Sequence, residues 1–232
     1  YEFIETGYGE VSDAMVSPRV ANHIVGMGLL EAIGESDLLK NEDPEDRDGD
    51  GISGRANRVW DVEAGEKRVG RFGWKANQPT VRQQVASAFG GDIGLTTSLF
   101  PKQPCTDAQQ DCNEAISGGD PEVRDDILEK VVLYSAALAV PKRRDWDKPA
   151  VLKGKQMFFK SGCAGCHAPK FVTGDYKEIP EFSNQTIRPF TDLLLHDMGE
   201  GLADNRPDFE ADGREWRTPP LWGLGLLQTV NK

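Results

Sequence analysis

Cys163-Ala164-Gly165-Cys166-His167 carries the plainest chemistry in this chain. Two thiols three positions apart, with an imidazole directly after the second, suit covalent attachment of a c-type haem. The cysteines add across the two vinyl groups, and His167 becomes the proximal iron ligand. A thioredoxin-like dithiol would expect the pair at a strand-to-helix junction in a βαβ setting, and no such setting is legible. A zinc site needs four ligands, and there is no second Cys-x-x-Cys or His-x-His cluster. The sixth iron ligand stays open between three sources. Met198 and His196 follow the motif by about thirty residues, the interval at which small c-type cytochromes place a distal methionine, and thioether ligation would raise the reduction potential. The third source is a group outside this chain. His196 could instead hydrogen-bond a haem propionate or the backbone, and Met198 could pack on the haem edge. Arg217 is a natural partner for a propionate carboxylate.

A second constellation is Asp46-Arg-Asp48-Gly-Asp50-Gly51-Ile52. Carboxylates at the first, third and fifth positions, glycine at the sixth and the Ile52 carbonyl at the seventh follow the calcium-loop order. Asn57 stands at the twelfth position, where a helix-loop-helix site would have a bidentate glutamate, so the expectation is a looser structural calcium site, completed by Asp61 or a backbone carbonyl. The competing reading is a solvated acidic turn. Cys105 and Cys112 lie in a short polar loop and read as a local disulfide. With haem attachment, this points to the periplasm or the cell exterior.

The 232 residues carry a net charge of −11. That excludes nucleic acid and an anionic membrane surface as partners and suits steering toward a basic redox protein. No apolar run is long enough for a membrane span. The start, Tyr1-Glu2-Phe3-Ile4-Glu5, is not a signal peptide and lacks an initiator methionine, as a mature or trimmed chain would.

The elements that must position these groups read as mainly α. Ser17–Ile33 is predicted as a helix, capped by Ser17, with Pro18 at its first position and Gly34 after its end. Gln78–Phe89 is a short helix, and Pro121–Val140 the best amphipathic one. Pro149–Lys160 is a helix leading into the haem motif. The charged connector 141–149 places a domain boundary after residue 147. Residues 1–147 then form a loop-rich helical region with the calcium loop, and 148–232 a cytochrome c-like haem domain. No internal repeat is apparent.

Taken together, the haem motif, His196-Asp-Met-Gly199 and Arg217-Thr-Pro-Pro-Leu221 resemble the C-terminal haem domain of bacterial di-haem cytochrome c peroxidases. The chain is more closely similar to the di-haem oxidoreductase family, often labelled thiol oxidoreductases. That resemblance rests on Ser17-Pro-Arg-Val20, Gly28-Leu-Leu-Glu-Ala-Ile33, Asp48-Gly-Asp-Gly-Ile-Ser-Gly-Arg55, Arg71-Phe-Gly-Trp-Lys-Ala76 and Thr218-Pro-Pro-Leu-Trp-Gly223. It implies a second haem, attached in relatives N-terminal to the region where this sequence begins. Relatives also continue past the equivalent of Lys232, so the sequence reads as a piece of a longer protein. Relatives vary at the Met198 position, and their distal ligand tends to follow the Thr-Pro-Pro-Leu segment. In the peroxidases a tryptophan near the two haems relays electrons, and a glutamine and an acid serve the peroxide site. The resemblance carries these roles to Trp74, Gln84 and Asp92. His23, among apolar residues, reads as a packed histidine or a distal ligand.

The expected function is a haem-dependent oxidoreductase of the di-haem peroxidase type, passing electrons to a second haem for peroxide reduction or oxidation of another substrate. The alternatives are an electron-transfer cytochrome without catalysis and a calcium-stabilised module that uses haem structurally.

Overall fold

A computed structural model describes residues 14–226; the reading of Tyr1–Glu5 falls outside them. The expectation of a mainly α chain is overturned. The described residues are 29% helical, in six α-helices and three short 3-10 turns, with several small antiparallel sheets, an α/β mixture. The helices are α1 (Met27–Glu31), α2 (Glu35–Leu39), α3 (Val81–Ile93), α4 (Gln110–Asn113), α5 (Asp125–Ala137) and α6 (Pro149–Lys160). The strands pair as three hairpin-like couples: β1 (Arg58–Asp61) with β2 (Glu66–Val69), β3 (Phe171–Val172) with β4 (Thr186–Ile187), and β5 (Leu195–Asp197) with β6 (Glu215–Arg217).

The shortfall in helix has local causes. The helix expected over 17–33 is reduced to α1 because Gly26 takes a left-handed conformation (φ +73) and starts the helix only at Met27. The helix expected over 121–140 begins at Asp125, after the turn through Pro121. By contrast α6 matches its expected span residue for residue, with Pro149 in the first turn where a missing N–H costs nothing. The Thr80 side chain caps α3 by accepting from Gln83 N at 3.1 Å, and Gly94 (φ +67) closes it.

One apolar core draws on both sides of residue 147. Leu30, Phe72, Val85 and Leu128 pack in the same cluster as Phe171, Ile187, Leu194 and Trp222. The β1–β2 hairpin is tied off by Asp61, whose carboxylate accepts from Glu63 N (3.0 Å) and Ala64 N (2.9 Å). Next to it the chain doubles back so closely that a Cβ on Gly70 would stand 1.7 Å from the Ala76 carbonyl oxygen. That reversal brings Trp74 and Lys75 to the end of the β5–β6 pair, where Arg217 N donates to the Trp74 carbonyl (2.9 Å). Gly54-Arg55 joins the other edge of β5, exchanging backbone hydrogen bonds with Leu195 at 2.8 and 3.0 Å. No helix among the described residues is long and apolar enough to cross a membrane.

Candidate functional site

Beyond α6 the chain turns through the Cys-x-x-Cys-His segment, and His167 N donates to the Cys163 carbonyl at 2.9 Å. Cys163 and Cys166 are both free thiols, the first exposed and the second half-buried. The disulfide expected between Cys105 and Cys112 is formed. Both free thiols and His167 border one cleft of about 600 Å³, together with His196, Met198 and Trp74. That volume lies in the range of cofactor sites.

The His167 ring donates from Nδ1 to the Phe190 carbonyl at 2.8 Å. This hydrogen bond selects the tautomer and leaves Nε2 with a free lone pair, the arrangement of a metal-ligating histidine. Phe190 is itself in the left-handed region (φ +53), uncommon for a bulky residue. Its ring meets Phe158 of α6 edge to face at 5.5 Å, and Phe158 lies 6.2 Å from the His167 ring.

His196 is placed differently. It is 6% exposed, with Nε2 donating to Asp192 Oδ2 at 2.8 Å and Nδ1 3.6 Å from Cys166 Sγ. Burial opposes its charge, but the hydrogen bonds to Asp192 and Cys166 outweigh that and push its pKa up to about 10. Both ring nitrogens are engaged by the protein, so His196 steadies the Cys166 side of the cleft. Met198, half exposed, offers its thioether to the same cleft.

Arg217 is 5% exposed, and its guanidinium donates to the carbonyls of Gly73 (2.7 Å) and Thr218 (3.3 Å). Among the described residues no carboxylate lies within ion-pair distance of it. Burial lowers its pKa to about 10. A buried cation without a counter-ion, bordering a cleft, fits an acidic group on whatever the cleft receives. The donor set as a whole suits haem c: two free thiols, an oriented imidazole and a cation for a propionate.

Gln84 and Asp92 do not border this cleft. They line a second cavity of about 670 Å³, and Trp74 and Arg217 are in the walls of both. Asp92 is exposed near the end of α3. His23 also borders the second cavity, and its buried Nε2 has no partner among the described residues. Burial, then the nearby Arg217 charge, lower its pKa and keep the imidazole neutral.

One oxygen each from Asp46, Asp48 and Asp50 lie within 4.8 Å of one another. Asp61 is committed to its hairpin turn and Asn57 to the carbonyls of Lys75 (2.7 Å) and Asp208 (3.0 Å). The acidic loop reaches the haem motif directly: a Cβ on Gly165 would stand 2.4 Å from Ile52 Cδ1.

Sequence reasoning passed over Asp192, Phe190, Trp216, Lys75 and Asp204. An aspartate four positions before His196 was the one available signal; the others act through long-range contacts with no local pattern.

No curated protein and no solved structure matches the chain. Residues 9–232 match the model of a family described as di-haem oxidoreductase, putative peroxidase. The cleft, its oriented histidine and that match over nearly the whole length lead to one conclusion: the chain belongs to the di-haem oxidoreductase family.

Proposed function

We propose that the chain binds one haem c through Cys163 and Cys166, with His167 Nε2 as proximal ligand, and serves electron transfer in a peroxidase-type oxidoreductase. The observation that carries this reading is the His167–Phe190 hydrogen bond. It presents a free imidazole nitrogen in the cleft that holds both free thiols. The haem would supply one-electron redox chemistry. The chain's own residues do the rest: Arg217 holds a propionate, His196 and Asp192 fix the wall beside Cys166, and Trp74 stands between the cleft and the second cavity. In that cavity Gln84 and Asp92 would orient a peroxide and move its proton, with the family's second haem or another substrate completing the reaction. A redox partner protein delivers or receives the electron, and the location is periplasmic or extracellular. The loop Asp46–Ile52 takes calcium as a structural ion and, through Ile52 on Gly165, braces the attachment motif. A chelator should therefore lower the melting temperature, and added calcium should restore it.

A second reading, a carrier cytochrome with no catalysis, is favoured by Met198, whose thioether borders the cleft. Absorption spectra of the oxidised and reduced protein, with intact mass, test both. One covalent haem open to peroxide, with turnover, supports the enzyme. A stable low-spin iron with a thioether charge-transfer band supports the carrier, and no covalent haem defeats both.

A further inference from the structure

Trp74 and Trp216 meet edge to face in the wall of the haem-motif cleft, ring centroids 6.2 Å apart and planes at 86°. Their surroundings are unequal. Lys75 Nζ stands over the Trp216 ring at 4.5 Å, and the Arg19 guanidinium at 5.1 Å. Neither cation is free to swing away. Lys75 is fully buried, bound to Asp204 at 3.0 Å and to the Asp212 carbonyl at 2.6 Å. Arg19 binds the same Asp204 carboxylate at 2.5 Å, which also accepts from Ser17 Oγ at 2.6 Å. Asp204 thus ties both cations in place, and the Asp208 carboxyl also feels their charge. Among the described residues no cation lies over Trp74. Its Nε1–H donates to the Val20 carbonyl at 2.6 Å, against 2.9 Å for Trp216 to Leu202.

A cation over an indole face is attracted to the neutral ring. Once the ring loses an electron that attraction becomes repulsion between like charges, whereas a short N–H···O=C bond favours a positive indole. We propose that Lys75 and Arg19, anchored by Asp204, keep one-electron oxidation off Trp216 and confine it to Trp74. This rests on the reading that Trp74 carries electrons between the two cavities. In the step, Trp74 gives one electron to an oxidised haem and keeps its proton on Nε1, still hydrogen-bonded to the Val20 carbonyl. One electron from the redox partner then restores it, and no bond to a heavy atom forms or breaks. Lys75 and Arg19 are positioning residues, and Trp216 is the branch they close.

The test is photo-oxidation of the haem-loaded protein with a ruthenium tris-bipyridine complex and persulfate, with oxidised tryptophans mapped by peptide mass spectrometry. Both rings are half-buried, so reach alone does not separate them. Trp74 products should exceed Trp216 products roughly tenfold, the ratio set by about 1.4 kcal/mol of lost cation–π attraction. Arg19→Gln, at the cleft rim, and Lys75→Met should each move the ratio toward one. Arg19→Gln keeps the test informative if Lys75→Met does not fold. Equal labelling in the unaltered protein, or a ratio indifferent to Arg19→Gln, overturns the proposal. The tenfold ratio in the unaltered protein, together with unslowed electron transfer in Trp74→Phe, would instead defeat the relay reading and leave the confinement standing.

Discussion

The segment that carries His196 and the helix that delivers the Cys-x-x-Cys-His motif are packed in opposite ways. Leu193, Leu194 and Leu195 are essentially inaccessible, and the residues on either side of them, Asp192 and His196, form a buried hydrogen-bonded pair. Helix α6 buries no residue at all, and Leu152, Met157 and Phe159 stand roughly half exposed on it. Phe158 is its main tie, through Phe190 and His167. The polypeptide thus packs the segment next to His196 unaided and holds the helix before the motif loosely. A large apolar cofactor has most to add where protein packing is thinnest.

Four outcomes would sharpen or break this contrast. Replacing Cys163 and Cys166 together by serine should abolish covalent haem, read as loss of the haem increment in intact mass. Hydrogen exchange should then rise in α6 and stay unchanged in 193–195; equal loosening of both would refute the contrast. Asp192→Ala breaks the buried His196–Asp192 pair and should cost about 3–5 kcal/mol in denaturant unfolding.

Next in size, Leu194→Ala should cost about 2–5 kcal/mol, and Leu152→Ala on α6 no more than about 0.5 kcal/mol. Comparable losses at the two positions would show that α6 is packed after all. The smallest effect concerns pH. Burial alone would raise the Asp204 carboxyl, but hydrogen bonds from Ser17, Arg19 and Lys75 outweigh it and hold the group well below the usual carboxylate range. A depressed folded pKa contributes stability above the unfolded value, near ~3.9 for aspartate, and loses it as pH falls. The melting temperature should therefore drop below about pH 4, and Asp204→Asn should remove part of that slope.

What the sequence made legible was local. The haem motif, the Cys105–Cys112 loop, helix α6 and the acidic loop each announce themselves within a dozen residues. The strands did not, because β3 and β4 are two residues long and β5 and β6 three, too short for an alternating pattern. The helix expected from Ser17 forms only from Met27, after a left-handed Gly26, and no propensity argument reveals which glycine turns left-handed. Trp74 was noticed through resemblance, but its partnership with Trp216 spans 142 positions (216 − 74) and exists only after folding. Lys75, a charged residue between Trp74 and Ala76, is fully buried, which no local pattern signals. Its carboxylate partner lies 129 positions away (204 − 75).

The four cysteines leave the chain with a sorting problem during its synthesis. One pair closes across seven positions, while under the proposed haem attachment the pair three positions apart would have to stay reduced until its thioethers form. An oxidant acting early would serve the first pair and poison the second. Cys166 is shielded by the His196 ring and Cys163 is not, so on that proposal maturation would have to guard chiefly one sulfur, the exposed one.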